Sequence, residues 1–195
     1  YLLDGTPMIG SILTMWTPRF LPRGVPLIVG TRQLRDVLVR DGYQSVTLIE
    51  PPVDLDWDRP GIELVDLRAE HHMPADACLA VIVSRLAPGK TEGIELAMRA
   101  IERLSPNEDM RLMIVGGGED EAAVAARARD LNARLGRTAV ILAGHMDDPR
   151  AAYAAADIAI GMGSSALRGM AFEKPTIVAG THGYTEVLTP ETSGE

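Results

Sequence analysis

Cys78-Leu-Ala-Val-Ile-Val83 is followed by Ser84-Arg-Leu-Ala-Pro-Gly-Lys90 and then by Gly93-Ile-Glu-Leu-Ala-Met-Arg-Ala-Ile-Glu-Arg-Leu104. The first stretch is an uninterrupted apolar run rich in β-branched residues, the pattern of a strand covered on both faces. The last one repeats apolar residues at helical spacing, with Ile94, Ala97, Met98, Ile101 and Leu104 on one face. The alternation continues toward the C-terminus. Arg111 to Val115 reads as a strand, Asp120 to Leu135 as an alanine-rich helix and Thr138 to Ala143 as a third strand. Pro149 to Ala156 reads as a helix with proline in its first turn, then Asp157 to Ile160 as a strand, Ser164 to Phe172 as a helix and Pro175 to Ala179 as a fifth strand. Strands and helices alternating over such short connections require right-handed crossovers and a parallel sheet. The sequence from residue 78 onward therefore predicts a doubly wound α/β domain.

Upstream, the pattern changes. Pro26 to Gly30 reads as a strand, Thr31 caps a helix through Arg40, and Ser45 to Ile49 reads as another strand. Glu50-Pro-Pro-Val-Asp54 follows, where two prolines force extended backbone. Residues 51–77 are expected to be an interdomain connection with one short helix near Leu64 to Glu70. Residues 1–50 then read as the tail of a preceding domain. The chain opens on Tyr1 rather than methionine and is expected to be part of a longer protein.

Composition narrows the function. The 195 residues are 46% hydrophobic and 24% charged, which is globular and neither disordered nor fibrous. With 19 basic and 27 acidic residues the net charge is −8, which argues against a dedicated nucleic-acid binder. A single cysteine, Cys78, excludes an internal disulfide framework and a multi-cysteine metal site. It points to a reducing cytoplasm, with peripheral membrane association left open. No apolar run reaches the roughly 18 residues of a transmembrane span; Met8 to Trp16 is short and ends at Thr17-Pro18. No basic stretch precedes a short apolar run with a cleavage site, so no signal peptide is read.

Ligands of an open parallel sheet sit at the carboxyl ends of its strands. The loop after the first strand places Arg85 and Lys90 there, two cations suited to a phosphate; as a plain alternative, both are solvated loop residues. Lysine occurs in this chain only at positions 90 and 174, which singles Lys90 out. Gly116-Gly117-Gly118 precedes a helix, but Glu119-Asp120-Glu121 already occupies the positive helix end. These glycines are expected to let a ligand approach the backbone closely. Gly163-Ser164-Ser165 opens a helix with no acid and with Arg168 one turn in, which makes it the better anion cradle; the alternative is an ordinary serine cap. His145 and Met146 follow the third strand at the same edge, where a base or sugar could lie, though a surface role for His145 competes. The histidines show no metal-ligand spacing, and Ser164 and Ser165 lack a nucleophile elbow.

In order along the chain, these segments resemble the group 1 (family 4) glycosyltransferases of the GT-B fold. Glu50-Pro-Pro-Val-Asp54 is similar to the linker between the two Rossmann-like domains. Val83-Ser-Arg-Leu-Ala-Pro-Gly-Lys90 is similar to the diphosphate-binding loop, and Leu112-Met-Ile-Val-Gly-Gly-Gly-Glu119 to the strand and turn after it. Tyr153-Ala-Ala-Ala-Asp157, Met170-Ala-Phe-Glu-Lys-Pro175 and Gly183-Tyr-Thr-Glu186 complete the series. The family's glutamate pair falls on Ile160 and Arg168 here, which changes or removes its contacts to the sugar and the ribose. The resemblance implies a Rossmann-like C-terminal domain over residues 78–195, with a remnant of the N-terminal domain before it. It implies a retaining transfer of sugar from a nucleotide-diphosphate donor to an acceptor hydroxyl. Arg85 and Lys90 would be the catalytic cations, and Gly117, Gly118, His145, Met146, Gly163, Ser164, Ser165 and Arg168 would bind the donor. No cofactor and no metal are implied. The acceptor is unknown, and the missing N-terminal domain would be needed for turnover. A sugar-nucleotide epimerase and a non-catalytic scaffold of the same architecture are the alternatives.

Overall fold

The computed structural model describes residues 7–13, 20–105, 107–180, 182–189 and 191–192. Residues 14–16 of the expected apolar run, Thr17-Pro18 and Tyr1 lie outside the described residues. The chain divides into two compact units, residues 1–52 and 53–195.

In the first unit, β1 (Gly10–Ile12), β2 (Leu27–Val29) and β3 (Val46–Leu48) form a parallel sheet in the order β1-β2-β3. Helix α1 (Arg32–Arg40) begins where the sequence places a cap, with the Thr31 hydroxyl accepting from the Leu34 N–H at 3.2 Å. Leu34 and Leu38 pack with Ile12, Val25, Leu27 and Val29 into one cluster. Val37, beside Leu38 in sequence and about 100° round the helix from it, is 38% exposed.

The second unit contains α2 (Leu67–Glu70), β4 (Cys78–Val83), α3 (Glu92–Leu104), β5 (Met110–Val115), α4 (Glu121–Leu135) and β6 (Val140–Gly144). It continues with α5 (Arg150–Ala155), β7 (Ile158–Gly161), α6 (Ser164–Ala171), β8 (Thr176–Ala179) and β9 (Thr185–Val187). Its sheet has the order β6-β5-β4-β7-β8-β9, all parallel except β9, which runs antiparallel to β8. Successive residues of the central strands face opposite layers. Ala80, Ile82, Leu112 and Ile114 pack against α3 and α4, whereas Leu79, Val81, Met113 and Val115 pack against α2 and α5. Each fully buried side chain of this size stabilises by about 1.5–3 kcal/mol, which is why these strands read as unbroken apolar runs.

Of residues 51–77, expected to be a connection, 53–77 lie in the second unit. Asp66 caps α2 by accepting from the Arg68 and Ala69 N–H groups, and Leu67 is buried in the core. The Arg68 guanidinium donates to the Ala155 and Ala77 carbonyls and pairs with Asp157, which also accepts from the Leu79 N–H. The helix is three residues shorter than expected, because its amide bonds begin only after that cap.

Chain order and strand order diverge at one place. The chain winds outward from β4 through β5 to β6, then returns to lay β7 against the other side of β4. The crevice at the carboxyl ends of β4 and β7 is the topological switch point where such sheets bind ligands.

Candidate functional site

Two adjoining cavities open at this crevice. One, of about 230 Å³, is lined by Arg85, Gly89 and Lys90 from the loop after β4 and by Ile160 from β7, Met162 from the turn after it, and Ser164 and Ser165 from α6. The other, of about 270 Å³, is lined by Gly116, Gly117, His145, Met146, Tyr153 and Arg168. Val83, Ser84, Arg85, Ser164 and Ser165 line both and form their common wall.

Glycines seat the loop after β4. The Ser84 N–H donates to Val115 and the Leu86 N–H to Gly117, so the loop extends β4 beside the end of β5. Gly116 (φ 142°) lies so close that a Cβ would come 1.8 Å from the Ser84 carbonyl oxygen. At Gly118 (φ 150°) a Cβ would come 2.3 Å from the Leu86 oxygen, so the protein's own backbone takes the space expected for a ligand. Gly118 lines neither cavity, while Gly117 lines the second. Among the described residues no carboxylate pairs with Arg85 or Lys90, which leaves two unneutralised cations lining the first cavity.

Gly163 (φ 60°, ψ −130°) is the cap of α6 and itself lines neither cavity. The first intrahelical bonds run from Ala166 and Leu167 to its carbonyl, so the Ser164 and Ser165 N–H groups head the helix without a helical acceptor. The Ser165 hydroxyl accepts from the Met162 N–H and donates to the Met162 carbonyl, both at 3.0 Å, which fixes the turn. Gly161 is required there, since a Cβ would meet Ser165 Oγ at 2.6 Å. The first turn of α6 has no acid, so its positive end is unopposed.

Arg168 lines the second cavity but is already paired. Its Nε lies 3.0 Å from both Asp58 oxygens and its Nη2 2.7 Å from Oδ1, and the Asp58 side chain is 7% exposed. The Arg168 guanidinium carbon also lies 5.6 Å from the centre of the Tyr153 ring, which stacks on Phe172. Burial pushes the Tyr153 hydroxyl up to about 12, opposed by Arg168, and this oxygen has no partner among the described residues. His145 is exposed and bonded to Asp147 at 3.2 Å, with one face on the second cavity. Asp58 went unnoticed in the sequence because 110 residues separate it from Arg168. Tyr153 stands in a quoted motif, but nothing in the sequence aims its ring at a cavity. Among the described residues no group of three or more His, Cys, Asp or Glu side chains is gathered to hold a metal ion, and no helix is long and apolar enough to cross a membrane.

A cationic loop and an acid-free helix start thus meet at the switch point of a doubly wound domain, a combination of charges and free amides suited to an anion. The family described as Glycosyl transferases group 1 matches residues 77–194, and the chain belongs to it. Among solved structures, Anabaena HepE in complex with UDP-glucose is similar over 91% of this chain and 54% of its own, with a TM-score of 0.70 and 17% identity. A glycosyltransferase from Rickettsia africae is similar over 82% of this chain and 45% of its own, with a TM-score of 0.64 and 19% identity. The C-terminal domain of a glycosyl transferase group 1 family protein from Francisella tularensis covers 68% of this chain and 73% of its own, with a TM-score of 0.53 and 19% identity. Likeness at these identities shows the fold. The chain spans about half the length of the Anabaena and Rickettsia proteins. No curated protein matches it.

Proposed function

We propose that the second unit binds the nucleoside-diphosphate sugar donor of a glycosyl transfer reaction, and that the sugar passes to an acceptor hydroxyl with retention at its anomeric carbon. The observation that carries this reading is the first cavity. Arg85 and Lys90 line it together with the open helix start at Ser164 and Ser165. The UDP-glucose in the Anabaena protein of the same fold supports it.

In the reaction, the bond between the anomeric carbon and the diphosphate oxygen breaks, and the electron pair leaves with the diphosphate. The acceptor oxygen bonds to the same carbon on the same face, and its proton passes to the departing diphosphate oxygen. The two cations and the amides of α6 stabilise the charge that grows on the departing oxygen, an electrostatic role that uses fixed donors. Arg85 and Lys90 supply positive charge to the diphosphate without a metal ion. Gly163 sets the direction of the helix start through its backbone, and Gly117, His145 and Met146 face the nucleoside part.

Replacing Arg85 or Lys90 with alanine should weaken nucleoside-diphosphate binding by roughly 1.5–3 kcal/mol each, with the melting temperature nearly unchanged. Isothermal titration with UDP, GDP and dTDP measures this. Equal affinity of both variants and the parent chain would refute the reading.

A further inference from the structure

We infer that the donor taken here carries a deoxygenated sugar, with a methyl or methylene where common hexoses carry a hydroxyl, and that Ile160 and Met162 set this preference. The inference rests on the nucleotide-sugar reading above. A sugar hydroxyl is both donor and acceptor, and it is well bound only where both roles are met. The side chains of the first cavity meet the donor role more fully than the acceptor role. Arg85 and Lys90 donate and cannot accept, and the N–H groups at the head of α6 do the same. The Ser165 hydroxyl is spent on both backbone atoms of Met162, the Ser84 hydroxyl spends its proton on the Arg85 carbonyl at 3.2 Å and keeps only its acceptor role, and Ser164 stands at the helix start assigned to the diphosphate. Among the described residues lining this cavity there is no carboxylate and no carboxamide.

With the diphosphate on the cations and the helix start, the wall left for the sugar is apolar. Ile82 and Ile94 are 4% and 1% exposed and lie behind it. Ile160, partly buried and paired in register with Ile82 and Ile177, and Met162, 36% exposed, present the surface a ligand meets. A hydroxyl pressed there leaves water without gaining an acceptor, whereas a methyl or methylene loses nothing and gains contact. Apolar pockets discriminate against an added hydroxyl by at most about 100-fold, so the preference expected is between about 10- and 100-fold.

The test is titration of the full 195-residue chain. UDP, GDP and dTDP come first, then the matched pairs UDP-glucose and UDP-6-deoxyglucose, GDP-mannose and GDP-6-deoxymannose, and dTDP-glucose and dTDP-6-deoxyglucose, with UDP-glucuronate as the anionic probe. The 6-deoxy member of a pair should bind at least tenfold tighter than its hydroxylated partner. Ile160→Gln should narrow that gap, and Ile160→Val should keep it. Met162→Gln, on an exposed loop, makes the same test if the Ile160→Gln protein fails to fold. The inference is overturned if a free diphosphate binds while the hydroxylated sugar binds as tightly as the 6-deoxy one, or if the glucuronate binds tightest. If no free diphosphate binds at all, the nucleotide-sugar reading itself falls and takes this inference with it.

Discussion

Asp58 is among the most buried charged side chains described, and Arg168 is what makes its burial tolerable. A carboxylate taken out of water needs a full set of donors, and the fork of Arg168 supplies three contacts at 2.7–3.0 Å. At 25% and 7% side-chain exposure the pair is largely shielded from solvent, unlike most surface ion pairs. Arg168→Ala should therefore destabilise the second unit by about 1–3 kcal/mol, since it strands a buried charge. Arg168→Glu should cost more, because it sets two carboxylates together. Adding Asp58→Ala to Arg168→Ala should return part of the loss, with a coupling of about 0.5–3 kcal/mol in urea denaturation. Strict additivity of the two substitutions would show that the pair contributes nothing. The sequence reading placed Arg168 among the donor-binding residues, and in the structure its guanidinium is held by Asp58.

Among the elements, the start of β5 is held by charge as well as by packing. Asp109 accepts from Arg111 at 2.8 and 3.0 Å, and Arg137 Nη1 lies 2.7 Å from the same carboxylate. Arg137 also donates to Ser105 Oγ and to the Met110 carbonyl, so the cluster joins the end of α3, the edge of β5 and the turn after α4. The Arg111 hydrogen bonds, with the charges of Arg111 and Arg137, hold the Asp109 carboxyl below the usual carboxylate range against some opposition from burial. Arg150 does the same for Asp148 ahead of α5. A carboxyl whose folded value is depressed adds stability above its unfolded value of about 3.9 and loses it as pH falls through the lower folded value. Stability should thus drop below about pH 4, and Asp109→Asn should flatten that drop while lowering stability at pH 7. An unchanged acid limb in Asp109→Asn would remove Asp109 from the account. The parallel strands were legible because burial on both faces demands unbroken apolar runs. Their limits differ by one or two residues, because pairing to neighbours defines a strand end: Thr138 and Ala139 precede β6, and Gly161 joins β7. β9 was not foreseen, since Thr185-Glu-Val187 has no apolar pattern and is a strand only by pairing with β8. The cations and the helix start of the candidate site were legible as local motifs. The reason for Gly118 was not, because it depends on a carbonyl more than thirty positions away in the chain.

At the scale of the whole molecule, each apolar cluster draws its residues from one unit. Ile12, Val25, Leu27, Val29, Leu34 and Leu38 form the first, and the two clusters flanking the six-stranded sheet lie wholly within residues 53–195. The cationic loop, the helix start and both cavities lie within the second unit as well. A unit with its own core and its own site should fold without the other. The boundary is the decisive question, because residues 53–77 read as a connection in the sequence yet bury Leu67 and supply Arg68 and Asp58. A fragment of residues 53–195 should unfold cooperatively within a few degrees of the second unit in the full chain, and should bind the same nucleoside diphosphate. A fragment of residues 78–195 should be markedly less stable. It exposes the cavity left by Leu67, worth about 2–5 kcal/mol if Leu→Ala substitutions are a guide, and leaves Arg168 and Asp157 without their partners. Circular dichroism melts and titration of the two fragments side by side separate these outcomes. Equal melting temperatures for the two would mean that segment 53–77 is a tether after all, and that the second unit begins at β4.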